Sequence, residues 1–227
     1  MTVPVQSLRF ADAREAADLA AFLGRLLHYD RAAAVRLQAG GGALAVFGRP
    51  PSFEVLAIRA VRLDGTHAFD VTVSAGELLE SLEESTGSGA VPTPVTGPPW
   101  TGVLPPRGGW QERAGLPGAP ALSAVLNDAV AEFRTRDAAL PEDRRTRAER
   151  DLIGRDIWSR PVGGTELPLR AVHAAQALGF LRAAPEFPVA LLATGSWLRL
   201  RTPYGSIALR RAGAAGGLGT LAVSVGR

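Results

Sequence analysis

Apolar residues recur along this chain in two rhythms, one of helical period and one of strand period. Near the start, Leu19, Phe22, Leu23, Leu26 and Leu27 fall on one face of a helix. Asp12 stands ahead of them as an N-cap with Glu15 three residues on, a capping-box pattern, so the spacing predicts a helix opening at Asp12. Strand-like runs follow at 33–39, 43–47, 53–63 and 67–73, divided by Gly40-Gly41-Gly42, Pro50-Pro51 and Asp64-Gly65. Because Asp-Gly is a hairpin signal, the expectation is a four-stranded antiparallel meander. Ser74-Ala75-Gly76-Glu77 repeats the capping box and predicts a short helix to about 84, with Leu78, Leu79 and Leu82 on its apolar side.

Between 86 and 120 the periodicity stops. Pro92, Pro94, Pro98, Pro99, Pro105, Pro106, Pro117 and Pro120 crowd this stretch together with Trp100 and Trp110, which predicts an irregular connector. Two tryptophans are unusual for a disordered segment, so partial packing is expected, with the tryptophans tying the flanking parts together. Helical spacing resumes over 121–138 through Leu122, Val125, Leu126, Ala129, Val130 and Phe133. A second helix is expected from Pro141, whose fixed φ suits a first turn, to about Trp158.

A third block, 163–227, repeats the first in order. A helix over about 167–183 leads into strand-like runs at 189–194, 197–202, 206–211 and 218–225, and Thr202-Pro203-Tyr204-Gly205 predicts a hairpin. Ala16-Ala17 followed by Phe22-Leu23 is echoed by Ala174-Ala175 followed by Phe180-Leu181. The expected fold is therefore α+β: two related modules, each a helix with a four-stranded antiparallel sheet, at 1–85 and 163–227. A Pro/Trp-rich loop at 86–120 and a helical hairpin at 121–162 join them, within one compact domain or two.

Composition mainly removes possibilities. The chain has 227 residues, enough to bury a core without staples. All 25 basic residues are arginine, a bias that with the many Ala, Gly and Pro residues reads as a bacterial, high-GC genome. Without lysine there is no Schiff base and no P-loop lysine. Without cysteine there is no thiolate nucleophile, thiolate zinc site, disulfide or cysteine-held iron–sulfur cluster. Residues 1–30 lack a secretory pattern, and no apolar run is long enough to span a bilayer, so a cytoplasmic protein without membrane contact is expected.

Candidate chemistry is sparse. Alternation places Trp197, Arg199 and Arg201 on one strand face and Leu198, Leu200 and Thr202 on the other. Between 182 and 211 five arginines, Arg211 among them, face a single acid, Glu186. Such a face serves a protein interface, a phosphate or a nucleic acid, since Arg and Trp recur in all three; the competing reading is a solvated strand face with Trp197 covered by a helix. Residues 134–160 hold eight arginines, but Asp137, Glu142, Asp143, Glu149, Asp151 and Asp156 lie among them, which reads as a salt-bridged surface. His28, His67 and His173 show no ligand spacing, and no GxSxG elbow is present. Glu77, Glu80 and Glu84 share a helix face that more simply meets water. The glycine-rich 213–219 stretch precedes a strand-like run and so reads as a turn, not a dinucleotide loop.

These features favour a non-enzymatic interaction or regulatory adaptor over an enzyme. Its binding residues would be Trp197, Arg199, Arg201, Arg211, Trp100 and Trp110, on the second module or in the groove between modules. No catalytic residue, cofactor or metal is assigned. The first alternative is an arginine-dependent binder of nucleic acid or of a phosphate ligand, the second an enzyme with an unrecognised site. A protein partner is expected, and exposed strand edges favour a homodimer.

Overall fold

The computed structural model describes residues 6–211. Elements run β1 (Ser7–Arg9), α1 (Ala13–Tyr29), β2 (Ala34–Gly40), β3 (Ala43–Gly48), β4 (Leu56–Arg62), β5 (Phe69–Ser74), α2 (Ala75–Glu80), β6 (Ser88–Ala90) and β7 (Gln111–Arg113). They continue with α3 (Ala119–Ala138), α4 (Arg147–Trp158), α5 (Leu169–Ala177), β8 (Ala190–Thr194), β9 (Trp197–Thr202) and β10 (Gly205–Arg210). The architecture is α+β with antiparallel sheets. Two halves fuse into one eight-stranded sheet of order β5-β2-β3-β4-β10-β9-β8-β7, with β1 and β6 forming a separate small pair.

Local signals place several elements as the sequence predicts. Asp12 accepts from the Glu15 N–H at 3.0 Å, which starts α1, and Ser74 accepts from Glu77 N–H to start α2. Gly41 and Gly42, at φ +60° and +75°, make the two-residue turn joining β2 to β3, a conformation that side-chain-bearing residues resist. The Pro203-Tyr204 hairpin forms, closed by a Thr202 hydroxyl that donates to Gly205 O at 3.0 Å.

The strand order corrects the expected meander. β5 does not pair with β4 across Asp64-Gly65 but returns to the outer edge of β2, giving the fourth-first-second-third order of a Greek key. The reason is that the end of β4 next to Asp64-Gly65 is already engaged: β3 holds one edge, and on the other Phe10 bridges Leu63 and Ala11 N–H donates to Arg62 O at 3.0 Å. The chain leaving β4 is instead held by Arg9 O, which accepts from Asp64 N–H at 2.8 Å. In the second half, hairpins join β8, β9 and β10, and the fourth strand is β7, taken from the proline-rich segment. The expected strand at 218–225 and the glycine-rich turn at 213–219 lie outside the described residues.

Helix ends also differ from the periodicity. α5 stops at Ala177 because Gly179 adopts φ +74° and the Phe180 N–H turns back to Ala175 O at 2.7 Å. The echoed Phe180-Leu181 therefore lies beyond the helix, not within it. The helix expected at Pro141 begins at Arg147, where the Thr146 hydroxyl caps it by accepting from Glu149 N–H; residues 142–144 make only a 3-10 turn.

Helices α1 to α5 all contribute to the core on one face of the sheet. The buried side of α1 (Leu19, Phe22, Leu23, Leu26) shares a core with Leu44 and Val46 of β3, and α5 supplies Val172, Ala174 and Ala175 beside Ile207 and Leu209 of β10. The halves join over the β4–β10 pairing, where Phe22 of α1 meets Phe180 at 5.5 Å between ring centroids. Arg59 of β4, 6% exposed, donates to Asp18 at 2.8 Å and to Tyr204 O, linking α1 to the β9–β10 turn. Gly205 lies against Phe180 so closely that an added Cβ would stand 2.6 Å from the ring.

A Gly205→Ala substitution should therefore overpack the junction and lower stability by about 1–3 kcal/mol. Urea unfolding followed by circular dichroism measures this, and an unchanged midpoint would mean that the Phe180 ring yields at no cost to its packing on Phe22.

Candidate functional site

The outer face of the sheet, opposite the helices, carries the candidate site. There Phe47, Leu56 and Ile58 from the first half and Trp197 and Ala208 from the second form a small apolar cluster of their own. It is covered by the middle of the proline-rich segment: Trp100 and Trp110, partly buried, pack on it with Leu104. Residues 98–110 thus act as a strap across the seam between the halves. Trp110 Nε1 donates to Pro106 O at 2.9 Å, which folds the strap into a tight corner.

Beside the strap lies a groove of about 450 Å³. Its floor is made of small residues, Gly40, Ala43, Ala45 and Ala60, deepening at Phe47 and Ile58. Pro105, Pro106 and Arg107 form the strap-side wall, and Arg199 closes one end. Arg199 stands opposite Ala208, which stands opposite Leu56 across the seam, so the short Ala208 side chain leaves room for the guanidinium to cross toward the first half.

Among the described residues Arg59, Arg170, Arg199 and Arg211 each have a buried Nε without an acceptor, and of these Arg199 alone lines the groove. Its guanidinium lies 5.7 Å from the Trp110 ring centroid, a cation–π contact, but among the described residues it makes no hydrogen bond or ion pair, and its Nε is buried without an acceptor. Burial, reinforced by the charge of Arg201, pushes its pKa below the ordinary arginine value. The group still carries its charge near neutrality, so the structure holds a partly desolvated cation with no protein anion.

The remaining expected residues are divided. Leu198 and Leu200 enter the main core, as the alternation predicts. Trp197 is only 7% exposed, covered not by a helix but by the outer-face cluster, with the Arg210 guanidinium 5.1 Å from its ring centroid. It supports the surface from below and presents little of itself. Arg201 is exposed and lines a second depression with Glu112, Val189 and Pro203. Arg211 is turned toward Glu166, 3.5 Å away, and takes no part in the groove. Arg107 and the alanine floor were not singled out by the sequence. Small residues and one loop arginine carry no periodic signal.

Other titratable clusters have structural roles. Arg160 donates to Glu132 at 2.6 and 2.8 Å and Arg136 pairs with Asp156, which holds both carboxylates below their usual range. These pairs fasten α3 to α4 on a solvated surface and account for much of the arginine density at 134–160. His173 is wedged between Phe53 and Trp158, with centroids 5.0 and 4.6 Å away. Among the described residues no group of three or more His, Asp or Glu is arranged to hold a metal, and no helix is long and apolar enough to cross a membrane.

Residues 3–102 match the model of a family described as a domain of unknown function, DUF8010, and residues 105–214 match a second, DUF8185. The boundary falls inside the strap. No curated protein matches the chain. Among solved structures it is similar to a DNA polymerase sliding clamp from Pseudomonas aeruginosa, at 12% identity and a TM-score of 0.47, over 92% of this chain and 64% of that one. This chain thus spans less than two thirds of the clamp's length.

Two outcomes follow. Trp110→Ala removes the ring that pins the strap corner, and trypsin should then cleave after Arg107 at least severalfold faster while far-ultraviolet circular dichroism is unchanged; equal cleavage would show that the strap is held elsewhere. Burial lowers the His173 pKa, so the folded state binds this proton less well than the unfolded chain. The histidine therefore costs no stability above the unfolded value near 6.5 and an increasing amount as pH falls below it. Urea midpoints between pH 7.5 and 5 should fall less steeply for His173→Gln than for wild type; parallel profiles would contradict this.

Proposed function

We propose that the protein is a non-enzymatic interaction module that receives a partner protein on the outer face of its fused sheet, in the groove between the strap and β2–β4. One observation carries this reading: Arg199 is kept partly desolvated and unpaired at the end of an open, mostly apolar groove. An isolated buried charge is costly unless something pairs with it, and among the described residues nothing does. The apolar floor offers burial and the arginine offers specificity, the usual division of labour in an interface.

The placement of the other residues refines the expected surface. Arg199 and Arg107 are the contact residues, Trp110 and Trp100 shape the wall, and Trp197 supports the face from beneath. Arg211 is left out. The matching order of helix and hairpin strands in the two halves, with the echoed Phe22 and Phe180 in contact, supports reading them as copies of one module.

Nucleic-acid binding is less well supported, because the outer-face aromatics pack inward and the groove offers two arginines, whereas backbone binding needs a row of cations and stacking relies on exposed rings. Site-specific photo-crosslinking in cells tests the proposal. A benzophenone amino acid at Ala60, exposed in the groove, should trap a defined protein partner, while one at Leu152 on α4, 53% exposed, should not. Arg199→Gln should reduce the Ala60 crosslink at least tenfold. Equal crosslinking from both positions, or recovery of nucleic acid alone, would overturn the reading.

A further inference from the structure

The groove's chemistry specifies what part of a partner it takes. We infer that the occupant is an extended peptide segment bearing an acidic side chain next to an apolar one, the carboxylate paired with Arg199 and the apolar group seated on Phe47 and Ile58. This deepens the reading above and rests on it.

Charge complementarity is the first argument. The residues lining the groove include two arginines, Arg107 and Arg199, and no carboxylate. The acids near its margin are already engaged or set back. Asp70 accepts from Arg36 at 2.6 Å and from Gln38 at 3.0 Å, and Glu112 of β7 is separated from Arg199 by Leu192 of the intervening β8. A carboxylate entering beside Arg199 would give the guanidinium a charge-assisted, planar partner and relieve the buried Nε.

Shape is the second. Gly40, Ala43, Ala45 and Ala60 project nothing beyond a Cβ, so a backbone can lie close to the sheet. Phe47 and Ile58 then offer one apolar seat adjoining the arginine. Pro105 and Pro106 give the facing wall a fixed backbone, which lowers the ordering cost of binding. About 450 Å³ is within the range of small-ligand pockets and admits a few side chains. A globular surface would meet the projecting strap before reaching the floor.

Selection from a phage-displayed library of random twelve-residue peptides tests the inference on the full chain. Wild type should enrich peptides with Asp or Glu adjacent to Leu, Ile, Val or Phe. By fluorescence anisotropy a selected peptide should bind at least tenfold more weakly to Arg199→Gln and to Ala60→Glu, while Arg211→Gln binds as wild type. Ala60 is exposed, so its substitution leaves folding intact even if Arg199→Gln does not. Arg199→Lys should lie between wild type and Arg199→Gln, since a point charge replaces a planar fork. Enrichment without acidic residues, equal binding to Arg199→Gln and Ala60→Glu, or displacement of the peptide by an equal concentration of a single-stranded oligonucleotide would each overturn it. So would a dimer of this chain that Arg199→Gln dissolves, because a second copy would then be the occupant. An Ala60 crosslink to a protein, found together with a library lacking acidic preference, would leave the interaction reading standing and remove this one.

Discussion

The pairing of β4 with β10 is the constraint on which the rest depends. It spans only three residue pairs, Ser206 with Ile58, Ile207 with Ala57 and Ala208 with Leu56, but it turns two four-stranded sheets into one surface with two faces. On the helix face it brings Phe22 against Phe180, each fully buried ring contributing about 1.5–3 kcal/mol of apolar transfer. On the outer face it sets Leu56 and Ile58 beside Ala208 and Trp197, an apolar patch too large to leave bare, which the strap covers. The groove is the part of that face the strap does not reach.

Two arginines beside this seam show how context divides one residue type. Arg59 faces the helices, is nearly inaccessible, and has Asp18 and Tyr204 O as partners. It is a tie between halves. Arg199 faces outward, has the face of the Trp110 ring and no anion among the described residues, and is partly desolvated where it sits. Exposed pairs such as Arg160 with Glu132 are screened by water and bear on helix packing, not recognition. Arg59 and Arg199 both have a buried Nε without an acceptor, so what sets Arg199 apart is the lack, among the described residues, of any anion on its guanidinium and its place at the end of the groove.

Local physics made much of the fold legible. Asp12 and Ser74 cap the helices their spacing assigns to them, glycine turns fall where strand runs break, and the period-two pattern separates Leu198 and Leu200 from Trp197, Arg199 and Arg201. What failed was long-range. Asp64-Gly65 looks like a hairpin, but the segment at 9–11, some fifty residues earlier in the chain, holds the end of β4 that β5 would need. Gly179 ended α5 early, although Phe180 and Leu181 continue its apolar period. At the candidate site Arg199 was legible from alternation, and a covered Trp197 was one of the two readings, but the cover comes from the proline-rich segment and not from a helix, because that segment carries no periodicity. Arg107 gains meaning only from the wall it stands in.

Amide hydrogen exchange on the protein alone and with its crosslink-identified partner bound tests the central claim, that the outer face of the fused sheet is the binding surface. The account predicts new protection over β2–β4 and the strap at 103–110, with α1, α3, α4 and α5 unchanged. Protection confined to the helix layer would contradict it and place recognition on the opposite side of the sheet.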